Sequence, residues 1–227
     1  MVAFGGDHAT AMGLWKGVMS GPRPSRRLGL IWIDAHMDAH NFLTLPTGNA
    51  HGMPVAALLG ESDPLLKAVY GDGPHLRPEN LALVGVRSCE PEERRLLDRL
   101  GVACYPMKTV RRLGLASVLR MALSHVTEHA DRFGISIDLD AVDPGDAPAV
   151  GTPVDDGLSG MDLCNSLADL NGEARLVGLE IVEYAPGLDR ERRTQRLIAD
   201  LVASLYGTPS RPKRSFGSLR EGIRSIS

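Results

Sequence analysis

Short apolar runs alternate along the chain with longer segments in which apolar residues recur every three or four positions. The apolar runs predict buried strands at 2–4, 28–33, 81–86, 102–105, 133–137 and 176–182. The longer segments predict helices at 9–19, from 55 onward, and at 90–100, 115–130, 161–170 and 191–206. This alternation is typical of an α/β fold in which helices cover both faces of a mostly parallel sheet.

The pattern predicts a single domain that spans residues 1–206. A chain of 227 residues is long enough for one sizeable core, and no repeat, linker or second domain interrupts the pattern. Ser, Arg, Gly and Pro dominate residues 207–227, which predicts a flexible C-terminal tail.

Composition and charge limit the cellular environments and the classes of binding partner that the sequence predicts. A formal charge of -3 gives no reason to expect binding to nucleic acid or to an anionic membrane. Three cysteines at irregular spacings predict free thiols in a reducing compartment. Because no apolar run is long enough to span a membrane and the N-terminus does not resemble a signal peptide, the sequence predicts a cytoplasmic protein.

The strand at 28–33 ends in a group of acidic residues and a histidine. Asp34, His36 and Asp38 follow it at alternating positions, so an extended backbone would place them on one face. Open α/β sheets bind their ligands at the C-terminal ends of the strands. Two carboxylates and an imidazole at such an end would need a compensating charge, and a divalent metal ion is the simplest one.

Three other predicted strands also end in polar side chains. Asp138 and Asp140 follow the strand at 133–137, His8 follows 2–4, and Glu183 follows 176–182. Because parallel strands bring their C-terminal ends to one edge of the sheet, we expect these groups to meet near Asp34. Taken one at a time, the two aspartates could be a turn or helix cap, and His8 could be a surface histidine in a turn.

Together these positions supply four aspartates and two histidines. Oxygen-rich sites with some imidazole suit Mn²⁺ or a comparable ion, whereas a single tetrahedral zinc prefers histidine and cysteine. Six ligands with bridging carboxylates can hold two ions about 3.5–4 Å apart, and such a pair activates a water molecule. The chemistry that this set predicts is hydrolysis.

Four motifs, in this order, resemble those of the ureohydrolase (arginase/agmatinase) family. They are GGDH at 5–8, DAHMD at 34–38, SIDLDAVDP at 136–144 and EIVE at 180–183. The resemblance runs from Gly5 to Tyr206. It implies a three-layer α/β/α fold and a binuclear manganese centre that hydrolyses guanidino compounds to urea. Because family members usually carry several tens of residues before the first motif, we expect the first sheet elements of the family to be missing here.

The resemblance assigns six ligands to two Mn²⁺ ions per subunit. One ion would take His8, Asp34, Asp38 and Asp138, and the other would take Asp34, His36, Asp138 and Asp140. Asp34 and Asp138 would bridge, and the hydroxide between the ions would attack the guanidinium carbon.

Three catalytic residues are implied as well. Glu183 matches the carboxylate that holds the guanidinium group, and such a planar cation suits a carboxylate. His51 matches a histidine that binds no metal and carries protons, although it could also be a loop histidine bonded to the backbone. Asp38 is predicted both as a catalytic residue and as a metal ligand.

Substrate contacts are also implied by the resemblance. The segment TGNAHGMP at 47–54 is similar to the arginase version, in which Thr47 and Asn49 would grip the α-carboxylate of the substrate. His40 stands where many arginases have an asparagine for that carboxylate, and Asn41 could take over this role.

Glu90, followed by Glu93, lies where arginases carry an acid that faces the α-amino group. The alternative for both glutamates is a solvated first helical turn, where the helix dipole favours negative charge.

The sequence therefore predicts an arginase that converts L-arginine and water into L-ornithine and urea. The alternatives are an agmatinase or another guanidino-acid amidinohydrolase, a zinc-dependent deacetylase of similar architecture, and a truncated family member without activity. Since family members commonly form trimers or hexamers, we also expect a homo-oligomer.

Overall fold

A computed structural model describes residues 1–21, 27–45, 47–71, 73 and 75–207, without the side chains of residues 69 and 70. The tail predicted from residue 207 onward lies outside this part of the chain, except for its first residue. Within the described residues, no helix is both long and apolar enough to cross a membrane.

All the predicted strands and helices form. The strands are β1 (Val2–Phe4), β2 (Leu28–Ile33), β3 (Leu81–Val84), β4 (Ala103–Tyr105), β5 (Arg132–Asp138) and β6 (Leu176–Val182). The helices are α1 (Thr10–Ser20), α2 (Pro54–Leu58), α3 (Pro64–Tyr70), α4 (Pro91–Leu100), α5 (Met107–Leu113), α6 (Leu115–Val126), α7 (Gly160–Ala168) and α8 (Arg193–Tyr206). The apolar pattern did not predict α3 and α5, because two turns are too short to show a helical period.

The strands form one six-stranded sheet in the order β1-β6-β5-β2-β3-β4, and every neighbouring pair is parallel. Along β2 the side chains alternate between two cores. Ile31 and Ile33 belong to the core under α5 to α8, whereas Leu30 and Trp32 belong to the core under α1, α2 and α4. The predicted three-layer α/β/α fold is thereby confirmed.

Close packing of α1 against β5 places the start of the chain over the middle of the sheet. The ring of Trp15 lies so near the backbone of β5 that a Cβ atom at Gly134 would overlap it. Only glycine fits this position, because it has no side chain.

The strand order changes direction between β2 and β5. The chain proceeds from β2 to β3 and β4 on one side, whereas β5, β6 and β1 lie on the other side. Ligands of open α/β sheets bind at such a switch point, beyond the C-terminal ends of the strands. The predicted polar groups follow β1, β2, β5 and β6, which are the four neighbouring strands around this point.

Candidate metal centre

Neighbouring strands bring Asp34 and Asp138 together. Ile33 of β2 pairs with Ile137 of β5, so the residue that follows each of them emerges at the same level of the sheet. Both carboxylates are buried. A tight turn after β1 brings His8 to the same place, where it is also buried.

A first cluster of candidate ligands surrounds His8. Its Nδ1 atom lies 3.2 Å from Asp34 Oδ2, 3.0 Å from Asp38 Oδ2 and 3.1 Å from Asp138 Oδ2. One imidazole nitrogen and three carboxylate oxygens therefore point at a common centre, and these four residues are the ones that the family resemblance assigns to the first ion.

A second cluster surrounds His36. Its Nδ1 atom lies 3.0 Å from Asp140 Oδ2 and 3.6 Å from Asp34 Oδ1. Asp34 is shared because its two oxygens face different histidines. Two groups that could each hold a metal ion thus adjoin at one carboxylate.

The atoms in the first cluster have the features of metal ligands. Although carboxylate oxygens surround it, His8 Nδ1 makes no hydrogen bond with the described residues, and neither does the buried Asp38 Oδ2. Burial and the charge of Asp34 raise the pKa of Asp38, so without a cation this cluster resists full ionisation. Four carboxylates and two imidazoles are a donor set that fits two divalent ions of the manganese type.

The second cluster would release a proton on binding metal. Burial disfavours a charge on His36, but the contacts with Asp140 and Asp34 outweigh it and raise the pKa of this histidine to about 11. A divalent ion at Nδ1 would replace the proton there, because both need the same lone pair.

Two residues at the site have backbone conformations that are unusual outside glycine. Asp38 has φ of 53° and Glu183 has φ of 64°. Such left-handed conformations cost free energy and persist where the surrounding structure holds them, frequently at functional sites. Both residues were predicted from sequence as catalytic.

Glu183 and His51 lie on the more open side of the clusters. Glu183 Oε1 accepts the backbone N–H of His8 at 2.8 Å and lies 3.7 Å from His51 Nδ1. The side chains of Glu183 and His51 are 12% and 33% exposed, so a ligand from solvent can reach them. Burial raises the pKa of Glu183.

The residues expected to grip an α-carboxylate make local contacts. Thr47 and Asn49 are exposed, and the Thr47 hydroxyl accepts the backbone N–H of Asn49 at 3.4 Å. Asn41 Oδ1 accepts the backbone N–H groups of Leu43 and Thr44 at 2.9 and 3.1 Å. The described contacts connect none of these three side chains with the two clusters.

His40 is buried between a loop and the start of α4. Its Nδ1 atom lies 3.1 Å from Thr44 Oγ1, and its Nε2 atom lies 3.3 Å from Glu90 Oε2 and 3.5 Å from Glu93 Oε2. Both ring nitrogens therefore already have protein partners. Glu90 and Glu93 also form a reciprocal capping box at the N-terminus of α4. Both therefore belong to the first helical turn that the sequence left open as an alternative, but Glu93 is buried there and not solvated.

Several residues that support the clusters were not predicted. The Arg87 guanidinium donates to the carbonyl oxygens of Asp140 at 2.8 Å, Val154 at 2.7 Å and Ala141 at 3.1 Å. The hydroxyl of Thr152 donates to Asp140 Oδ2 at 3.0 Å. No motif marks an isolated loop residue of this kind.

Ser136 and Glu180 stand in two of the four motifs, but no role was predicted for either, although the sequence carries a signal for both. Each is a polar residue inside an otherwise apolar strand, and buried polar groups need partners.

The profile of the Arginase family matches residues 1–207. The chain belongs to the arginase family. It is 39% identical over 207 residues to an arginase of Bacillus caldovelox, a match that covers 91% of this chain and 68% of that protein. The resemblance to ureohydrolases is thereby confirmed, and with it the assignment to a family of hydrolytic enzymes.

Solved arginase structures share the fold. The crystal structure of arginase from Bacillus cereus has a TM-score of 0.85 at 34% identity, covering 92% of this chain and 72% of that one. An arginase of Entamoeba histolytica in complex with L-ornithine has a TM-score of 0.83 at 28% identity, covering 91% and 69%. The family assignment therefore rests on sequence and fold together.

Proposed function

We propose that the chain is a binuclear manganese hydrolase that converts L-arginine and water into L-ornithine and urea. The observation that carries the proposal is the position of Asp34, whose two carboxylate oxygens face His8 and His36. Glu183 beside this pair could bind the guanidinium group. The similarity to arginases, one of them in complex with L-ornithine, supports this choice of reaction.

The six candidate ligands define where two ions would be held. They are His8, Asp34, His36, Asp38, Asp138 and Asp140. When bound, two manganese ions would supply the acidity that turns a water molecule into a nucleophile at neutral pH. The protein would contribute fixed ligand positions, because Asp34 and Asp138 emerge from paired strands and His8 and Asp38 are buried beside them.

Glu183 would hold the substrate through its guanidinium group. A carboxylate binds this planar cation through charge-assisted hydrogen bonds. The backbone N–H of His8 donates to one Glu183 oxygen and so orients the carboxylate. His8 would thus link the substrate-binding Glu183 to the first metal cluster.

His51 would transfer protons during turnover, since it lies beside Glu183 and outside both ligand clusters. We expect His51→Asn to lower kcat for urea release about 10²-fold, the lower range for loss of a general acid or base. Manganese affinity is expected to stay unchanged, and added imidazole is expected to restore part of the rate.

The matched control is His129→Asn, which alters an exposed histidine. It is expected to leave kcat and manganese affinity at the parental values. A His51→Asn protein with parental kcat would contradict the assigned role.

The proposal also names L-arginine, and not agmatine, as the preferred substrate. Agmatine keeps the guanidinium and amino groups of arginine but lacks its carboxylate. We expect more urea from L-arginine than from agmatine when the protein is preincubated with Mn²⁺ and both substrates are assayed at equal concentration. More urea from agmatine would favour the agmatinase alternative, for which the exposed and locally bonded Thr47 and Asn49 are the structural argument.

The same assay tests the alternative of a family member without activity. Folded protein that holds two manganese ions and releases no urea from either substrate would contradict the proposed reaction. We further propose a cytoplasmic location, which the three free cysteines support, and a homo-oligomer, either a trimer or a hexamer, as the family resemblance implies. Light scattering during size-exclusion chromatography would measure the number of subunits.

A further inference from the structure

The loop that follows β5 passes beside the carboxylate of Glu183. A Cβ atom added at Gly151 in this loop would lie 3.8 Å from Glu183 Oε2. Apart from the two chain neighbours of Gly151, no other described residue has an atom within 4 Å of that position. The glycine therefore leaves an open space next to one oxygen of Glu183.

The two oxygens of Glu183 have different contacts. Oε1 accepts the backbone N–H of His8 at 2.8 Å and lies 3.7 Å from His51 Nδ1. Oε2 makes no hydrogen bond with the described residues, and it is the oxygen beside Gly151. Oε2 is therefore the atom left to accept an N–H group of a bound guanidinium.

Hydrogen bonds fix the loop on both sides of Gly151. Before it, the backbone N–H of Ala149 donates to Thr194 Oγ1 at 3.1 Å. After it, the Arg87 guanidinium donates to the carbonyl oxygen of Val154 at 2.7 Å. Because the loop is held at both ends, we expect it not to move away when a side chain is added at position 151.

The same loop also reaches the second metal cluster. The hydroxyl of Thr152 donates at 3.0 Å to Oδ2 of Asp140, which is one of the candidate ligands around His36. Gly151 and Thr152 thus border the space between Glu183 and this cluster. A guanidinium group that binds Glu183 and faces the metal ions would occupy this space.

We propose that Gly151 is a specificity-determining residue whose lack of a side chain gives a guanidinium group access to Glu183 Oε2. The inference rests on the proposed function and deepens it. A charge-assisted N–H donor lies about 2.7–2.9 Å from its acceptor oxygen. Since non-bonded carbon atoms need about 3.5–4.0 Å, a methyl group 3.8 Å from Oε2 would compete with such a donor for space.

Alanine at position 151 is expected to fit the protein without substrate. The contact of 3.8 Å with Oε2 is an ordinary van der Waals distance. Gly151 also lacks the positive φ that would favour glycine for backbone reasons. A substitution here can therefore change substrate binding while the fold is kept.

Gly151→Ala tests this role. We expect KM for L-arginine to rise about 10–200-fold, the range for a change of one methyl-sized group in a binding pocket, and kcat to change less. Manganese affinity and the midpoint of thermal unfolding are expected to stay parental, because no candidate ligand is altered. A parental KM in folded Gly151→Ala protein would overturn the proposal.

The matched control is Gly187→Ala. Gly187 is also exposed and lacks a positive φ, but a Cβ atom there would meet no atom within 4 Å. This variant is expected to keep the parental KM, kcat and manganese affinity. An increase in KM equal to that of Gly151→Ala would overturn the specific role of Gly151.

Inhibition by L-ornithine distinguishes a loss of space for the guanidinium group from a general loss of substrate binding. L-ornithine keeps the amino-acid part of L-arginine and lacks its guanidinium group. We expect its inhibition constant to change less in Gly151→Ala than KM for L-arginine does. Equal changes in the two constants would contradict a role of Gly151 at the guanidinium group.

A binding measurement separates this proposal from the proposed reaction. Unaltered protein that releases no urea would contradict the reaction, and calorimetric titration of manganese-loaded protein with L-arginine would then compare it directly with Gly151→Ala. Binding at least 10-fold weaker in the variant would support the role of Gly151 without the reaction. Equal affinities, or no binding by either protein, would overturn it.

Discussion

Replacing Asp34 by asparagine is expected to lower kcat/KM for urea release roughly 10³-fold or more. A bound metal ion contributes several kcal/mol of transition-state stabilisation, and about 4 kcal/mol corresponds to about 10³-fold in rate. We expect at least this loss because Asp34 faces both histidines, so its replacement affects both metal positions. Metal analysis of the purified variant is expected to find fewer than two manganese ions per subunit.

Thermal unfolding gives a readout for Asp34→Asn that does not depend on activity. Manganese at 100 times its Kd would stabilise the folded parent by about 2.7 kcal/mol per site, and this gain is expected to shrink in the variant. The matched control is Asp169→Asn, which alters an exposed aspartate and is expected to leave this gain at the parental value. A variant at Asp34 with two bound ions and parental activity would exclude the assigned role.

Replacing Glu183 by glutamine is expected to lower kcat/KM for urea release about 10³-fold while two manganese ions stay bound. The amide can still accept the backbone N–H of His8, so the local structure is expected to hold. The loss follows from removing the charge opposite the guanidinium group, which costs about 4 kcal/mol for a buried hydrogen-bonded pair. Steady-state kinetics and metal analysis on the same preparation distinguish a loss of activity from a loss of bound manganese.

Glu191→Gln is the matched control for this charge change, because Glu191 is exposed and lies eight positions further along the chain. It is expected to leave kcat/KM and manganese content unchanged. If Glu183→Gln kept parental kcat/KM, another group would have to bind the guanidinium. If it lost its manganese instead, Glu183 would act on the metal centre and not on the substrate.

Much of the fold and of the ligand set could be predicted from local pattern. A strand such as β2 shows as an apolar run of six residues, and its length and limits agree with the structure. The polar residues directly after β2 and β5 meet because parallel neighbours end at one edge of the sheet. That Asp34 and Asp138 lie at the same edge can therefore be read along the chain, whereas the pairing of β2 with β5, which brings them close, cannot.

Contacts between distant parts of the chain were decided by the tertiary structure alone. His8 and Ser136 are 128 positions apart, and Trp15 and Glu180 are 165 positions apart, so no spacing along the sequence indicates that they bond. The same holds for His40, which the sequence predicted as a substrate contact and which the structure places against Glu90, 50 positions away.

The sequence by itself determined the order of the strands and helices, the family and the six candidate metal ligands, because each follows from residues that are near one another in the chain. Only the tertiary structure decided which nitrogen of His8 faces the carboxylates and which side chains contact the rest of the ring. The physical reason is that a hydrogen bond depends on atomic position and direction, and packing sets both across the whole domain.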